Sequence, residues 1–146
     1  MNPAETFCAQ LYAVHSGRVP LFVGMQKPFR KVYPLVFQNH EGMPLGLVGC
    51  AWNEGMDPDL AQLYHISAFQ PGSGAGSEIM SALCALADEL QVRITTQPEL
   101  IGVGVPGWAV PDDGEAALRR WYTRFGFTRI AGVHLERSPK LTPPTA

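Results

Sequence analysis

The chain has 146 residues, 46% of them hydrophobic and 16% charged, with a formal net charge of -2 and a pI near 6.0. That length suits one domain with one core, and the composition is globular rather than disordered. The charge excludes a general basic field for nucleic acid, and no apolar run reaches the ~18 residues of a membrane span.

The cysteines Cys8, Cys50 and Cys84 are odd in number and scattered. They match neither a disulfide framework nor a zinc site, so reduced thiols in a cytoplasmic protein and no metal are expected. "MNPAETFCAQ" lacks the basic-then-apolar order of a secretory signal. The expected organisation is one domain over residues 1–138 and a loose Pro/Thr-rich tail over 139–146.

In chain order, "NPAETFCAQLYAVHSG" predicts a helix with Pro3 in its first turn, Gly17 as its stop, and Phe7, Leu11 and Val14 on one apolar face. "VPLFVGMQKP" reads as a short strand or a loop. "KVYPLVFQ", "NHEG" and "LGLVGCAW" predict a β-hairpin, with Pro34 pointing to an edge position or a bulge. "AQLYHISAF" is the next strand. Residues 76–90 are the strongest helix, striped by Ile79, Leu83, Leu86 and Leu90. "VRITT" predicts a strand with Val92, Ile94 and Thr96 on one face. The Pro/Gly-rich connection over 97–114 is long for a compact domain. "EAALRRWYTRF" is a helix stopped by Gly126, and "FTRIAG" and "VHLER" are two short strands. The order predicts a mixed α/β sheet.

Between strand and helix stands "QPGSGAGSE", with glycines at Gly72, Gly74 and Gly76. Ser77 stands where a dinucleotide turn needs its third glycine, and no lysine serves a Walker loop. Both phosphate-binding patterns fail on spacing. What survives is backbone N–H groups freed by glycine next to the positive end of a helix. Taken alone, the loop leaves two readings open: a phosphate or pyrophosphate site, and a turn that binds nothing.

"PGSGAGS" followed by "WYTRFGF" resembles the GCN5-related N-acetyltransferase (GNAT) superfamily, in the short form common in phages and bacteria. Gly74-Ala75-Gly76 matches the G-x-G/A part of that family's loop. Trp121 to Phe127 matches its "hYxxhGF" segment. The resemblance covers about residues 60–130. It implies the GNAT fold, a mixed central sheet with splayed parallel strands flanked by helices. It implies acetyl-CoA as cosubstrate and acetyl transfer to a primary amine by direct attack on the thioester. Three positions depart from the pattern. Pro71 replaces an Arg or Gln, Ala116 replaces a frequent Asn, and the family's first strand is missing or displaced to residues 19–24.

By that resemblance, backbone around Ile66, Ser67 and Ala68 would hold the pantetheine arm. Pro71, Gly72, Ser73, Gly74, Ala75, Gly76 and Ser77 would hold the pyrophosphate. Tyr122 is the candidate acid for the departing thiolate, against a plain core tyrosine, since Leu118, Tyr122 and Phe125 share a helical face. His65 and Glu54 are rival candidates for the general base, with ordered water a third route. Trp108 could line the acceptor site or anchor a surface loop. Asp112 and Asp113 suit a helix cap. The Arg119, Arg120, Arg124 and Arg129 cluster suits a solvated face more than a phosphate-bearing acceptor. The rival functions are acetylation of a nucleic-acid base or aminoacyl-tRNA, which the net charge disfavours, and a non-catalytic acyl-CoA-binding module. A homodimer is compatible with the resemblance.

Overall fold

A computed structural model describes residues 2–15, 31–52, 55, 57–70, 72–98 and 114–141. Its elements are α1 (Pro3–His15), β1 (Lys31–Gln38), β2 (Pro44–Trp52), β3 (Leu60–Ala68), α2 (Ala75–Leu90), β4 (Arg93–Thr96), α3 (Gly114–Arg124), β5 (Phe127–Ala131) and β6 (His134–Arg137). The strands form one six-stranded sheet in the order β1-β2-β3-β4-β6-β5. All neighbours are antiparallel except β3 and β4, which run parallel. This mixed sheet flanked by helices is the fold class expected from the sequence. The displaced first strand expected at residues 19–24 and the helix stop Gly17 lie outside the described residues.

Local chemistry sets the elements. Asn2 caps α1 by accepting the Glu5 N–H at 2.7 Å, ahead of Pro3 in the first turn. The β1–β2 turn closes on Asn39, whose Oδ1 accepts the N–H groups of Glu41 and Met43, with Gly42 at φ 80°. Among the described residues β1 is the outermost strand on its side of the sheet, and the irregularity in its register falls at Phe37/Gln38. α2 ends at Gln91, itself left-handed at φ 56°, with the Val92 N–H donating to the Ala87 carbonyl at 2.8 Å.

A single cluster of buried side chains joins the layers, with Phe7, Leu11, Val48, Ile79, Met80, Leu83, Ile94 and Phe127 at most 1% exposed. Val92, Ile94 and Thr96 are all buried, as their alternation predicts. The α2 stripe needs a small correction. Its fully buried residues are Ile79, Met80, Leu83 and Ala87, and Leu86 and Leu90 sit only at the margin. Val14 is a second correction, since it is 64% exposed. The core-facing place after Leu11 goes to the residue four on, His15. The His15 ring stacks on Phe37 at 4.3 Å, and its Nδ1 lies 3.1 Å from the Gln38 carbonyl.

Two arginines brace the sheet. Arg93, at the start of β4, binds Asp59 through Nε at 3.0 Å and Asp57 through a terminal nitrogen at 2.7 Å, with Glu136 of β6 at 3.5 Å. Arg137, 2% exposed, donates a forked pair of bonds to Asp88 at 2.9 and 3.0 Å. Its Nε donates to the Phe125 carbonyl at 2.7 Å, so one guanidinium joins β6, α2 and the end of α3.

Candidate active site

The parallel pair sets the geometry. β3 and β4 are in register from Leu60/Arg93 to Leu63/Thr96, and there the pairing stops. β3 runs on to Ala68 along β2. A bulge lies at the parting point: Gly49 faces His65 but the next residue, Cys50, faces Leu63, which leaves Tyr64 extra. The bulge reverses the strand's alternation. Ala61 and Leu63 point to the core before it, and Ile66 and Ala68 do so after it.

The backbone beyond the bulge has a definite orientation. The Phe69 N–H donates to the Leu45 carbonyl of β2 at 3.0 Å. N–H groups alternate sides along a strand, so those of Ser67 and His65 also face β2, and those of Ile66 and Ala68 face the opposite edge. That edge receives no pairing from β4 among the described residues. Of the three backbone positions expected at the arm, Ile66 and Ala68 therefore point into the opening. Ser67 turns its N–H away, and its hydroxyl lies 2.9 Å from His65 Nε2. Gly46 of β2 lies opposite Ala68, and a Cβ there would collide with the Ser67 carbonyl.

Next comes the glycine turn. Gly72 and Gly74 have φ of 81° and 87°, and a Cβ on either would meet nothing within 4 Å. Ser73 folds the turn by donating its hydroxyl to the Gln70 carbonyl at 2.6 Å, while its oxygen accepts the Ala75 N–H at 3.3 Å. Gly74 is the left-handed N-cap of α2 and makes no side-chain cap. The Glu78 N–H starts the helical ladder on the Gly74 carbonyl at 3.1 Å. The N–H groups of Gly76 and Ser77 have no partner among the described residues, as expected of a first helical turn. Pro71 lies outside the described residues, as do Glu54 and Trp108, and Asp112 and Asp113 with them.

α3 presses onto this turn. Trp121 Nε1 donates to Ser77 Oγ at 3.1 Å, and a Cβ on Gly76 would touch the Trp121 ring at 3.8 Å. Its neighbour Tyr122 goes inward. Tyr122 is 4% exposed and packs edge-on against Trp121 and Phe127 at 5.0 and 5.2 Å. Thr96 donates to the Leu63 carbonyl at 2.9 Å. Burial pushes the Tyr122 pKa up, so it stays protonated at neutral pH. Burial lowers the His65 pKa, so its imidazole is neutral there.

Several of these partners were not foreseen. Thr96 gave a usable signal, because a threonine in a buried phase of a strand must bond something. Trp121 and the Tyr64 bulge gave none, since neither depends on nearby sequence. Among the described residues, no three His, Cys, Asp or Glu side chains gather as a metal site would need. No helix among them is long and apolar enough to cross a membrane.

Among the described residues, fold and site define a mixed α/β protein whose parallel strand pair opens beside a glycine-turned helix N-terminus. Solved structures of similar shape include the anti-CRISPR protein AcrVA5, at 15% identity over 64% of this chain and 90% of that one, with a TM-score of 0.45. Tetrahymena GCN5 is similar at 11% identity over 97% and 90%, with a TM-score of 0.45. The GNAT family N-acetyltransferase YhbS from Escherichia coli, solved in complex with CoA, is similar at 16% identity over 72% and 57%, with a TM-score of 0.43. No family model and no curated protein matches the chain. These likenesses are distant, and the functional reading rests on the chain's own residues.

Proposed function

We propose that this protein is an N-acetyltransferase of the GCN5-related superfamily, moving the acetyl group of acetyl-CoA to a primary amine. One observation supports the reading above the others: α3 lays an aromatic side chain on the glycine turn and buries the candidate acid next to it in sequence. Trp121 rests on the glycine turn, and Tyr122 is buried against Trp121 and Phe127.

The residues fit the cosubstrate. The Gly76 and Ser77 N–H groups and the positive end of α2 suit a pyrophosphate, and the open space over Gly72 and Gly74 lets it approach. The Ile66 and Ala68 N–H groups suit the amide-bearing arm. Bound there, acetyl-CoA supplies an acyl carbon already activated as a thioester. The chain orients that carbon through the open edge of β3 and offers N–H donors where negative charge develops. His65, neutral at pH 7, is the described candidate to take the amine's proton. Tyr122 holds a proton at Oη for the sulfur that leaves.

The test is a melting curve. Acetyl-CoA at ~100 times its Kd should add about 2.7 kcal/mol, a rise of roughly 10 °C for a chain of this size. Tyr122→Phe should lower kcat at least ~10-fold while coenzyme A still binds. Absence of any shift sinks the reading. A shift without turnover on any primary amine points to an acyl-CoA-binding module.

A further inference from the structure

His65 and Ser67 stand on β3 just past the Tyr64 bulge, in the stretch that β4 leaves unpaired among the described residues. Ile66 and Ala68 pack on the core, so His65 and Ser67 share the opposite face of the strand. One side-chain contact joins them: His65 Nε2 lies 2.9 Å from Ser67 Oγ. Nδ1 of the same ring has no polar partner among the described residues. An imidazole that is to take a proton needs one nitrogen with a free lone pair. Ser67 occupies Nε2, which leaves Nδ1 for that task and puts the single proton of the neutral ring on Nε2.

We infer that Ser67 is a positioning residue for His65: its hydroxyl oxygen accepts the Nε2 proton, fixes the ring in that tautomer, and leaves the Nδ1 lone pair to take the proton of the acceptor amine. This rests on the acetyltransferase reading for the reaction, and on the 2.9 Å contact for the tautomer. As the amine attacks, the nitrogen–carbon bond forms and the carbon–sulfur bond breaks. The nitrogen's proton passes to Nδ1, and the sulfur takes the proton held at Tyr122 Oη. The imidazolium then gives its Nδ1 proton to water, and the Tyr122 phenolate draws one back from water. Ser67 neither gains nor loses a proton. A hydrogen bond from a charged donor is worth more than one from a neutral donor, so Ser67 favours the imidazolium.

The surroundings leave that role to Ser67. On β2, Gly49 stands opposite His65 and Leu47 opposite Ser67, and neither carries charge. Cys50 is the one titratable residue of β2, and burial pushes its thiol up to about 12. On β3 itself, the Tyr64 hydroxyl donates to Gln62 at 3.1 Å. The pairing of β4 ends at Thr96, opposite Leu63 and short of His65. The helices α1 and α2 pack on the core face. Burial is what lowers the His65 pKa, with no charge contributing.

The experiment reads the imidazole nitrogens of His65 by heteronuclear NMR, and compares Ser67→Ala, Ser67→Thr and His65→Gln with the parent chain. His65→Gln identifies the His65 signals among the 4 histidines. Above the pKa of the ring, the parent should carry its proton on Nε2. Ser67→Ala should move the His65 pKa down by about one pH unit, because the imidazolium loses its acceptor, and carry the acid limb of the kcat/KM profile down with it. It should lower kcat ~10-fold with the coenzyme A Kd unchanged. Ser67→Thr keeps the hydroxyl and should restore the pKa, the limb and kcat. A proton on Nδ1 in the parent overturns the inference, as does a His65 pKa that Ser67→Ala leaves unmoved. So does a kcat loss that Ser67→Thr fails to repair, or full turnover by His65→Gln. If the parent binds no acetyl-CoA, the acetyltransferase reading fails, while the nitrogen resonances still decide the tautomer.

Discussion

The two ends of the β3–β4 pair are built from opposite materials. At Leu60/Arg93 the strands are laced by charge, with Arg93 bonded to Asp57, Asp59 and Glu136 and its N–H donating to the Asp59 carbonyl at 2.7 Å. At Leu63/Thr96 there is one neutral bond between Thr96 and Leu63, then a bulge, and then backbone that β4 no longer pairs. Beyond that rung the outer edge of β3 receives no strand among the described residues. The charged end holds the strands together. The neutral end lets them part, ahead of the glycine turn.

Breaking the neutral end from behind should have the largest effect. In Gly46→Ala the new methyl meets the Ser67 carbonyl and lies 3.0 Å from Ile79 Cδ1. Backbone cannot step aside as a flexible side chain can. We expect a loss of about 3 kcal/mol, read as a fall in Tm of roughly 10 °C, and weakened coenzyme A binding because β3 shifts. A stable Gly46→Ala variant with parental affinity would mean that the close approach of β2 to β3 does not shape the opening. Arg137→Met is the control on the other side of α2. It removes the fork to Asp88 and the bond to the Phe125 carbonyl. Asp88 is 27% exposed and keeps the Lys140 N–H, so the loss should fall below the ~3–5 kcal/mol of a fully buried pair, at about 2 kcal/mol. Turnover per folded molecule should stay unchanged.

How much of this was legible before folding follows from range. The Gly72–Gly76 turn, the β1–β2 turn on Asn39 and the Gly126 stop are read from residues a few positions apart, and each stands where the sequence put it. The pairing of "GSGAGS" with "WYTRFGF" carried the site further, because a resemblance records contacts that spacing alone does not. The partners within that site stayed hidden. Thr96 meets Leu63 across 33 positions, Trp121 meets Ser77 across 44, and Arg137 meets Asp88 across 49. The Val14 misreading has the same origin. Helical spacing allowed either three or four residues after Leu11, and the ring of Phe37, from another strand, decided for His15.

Smaller effects sharpen the contrast. Trp121→Phe keeps an aromatic ring over Gly76 and removes only the bond to Ser77 at 3.1 Å. That bond is exposed, so stability should change by less than about 1 kcal/mol. The coenzyme A Kd should still rise ~3-fold, because the first turn of α2 loses its tether. Calorimetric titration checks both, and a change in Tm without one in Kd would assign Trp121 to packing alone.

The smallest effect belongs to the charged end. Arg93→Gln cuts three ion pairs, but the Asp57 and Asp59 side chains are 68% and 41% exposed, so solvent already screens them. A loss of ~0.5 kcal/mol that shrinks further in 1 M salt is expected. The signature is its pH dependence. Hydrogen bonding from Arg93 holds the Asp59 pKa below the usual carboxylate value. A depressed carboxylate contributes stability above its unfolded pKa, near ~3.9, and loses it as the pH falls through the folded value. Between about pH 5 and pH 2 the parent should therefore lose stability faster than Arg93→Gln, and the two melting curves should converge in acid. Parallel curves over that range would mean that Arg93 and Asp59 do not interact in solution, and that the parallel pair is held at this end by backbone bonds alone.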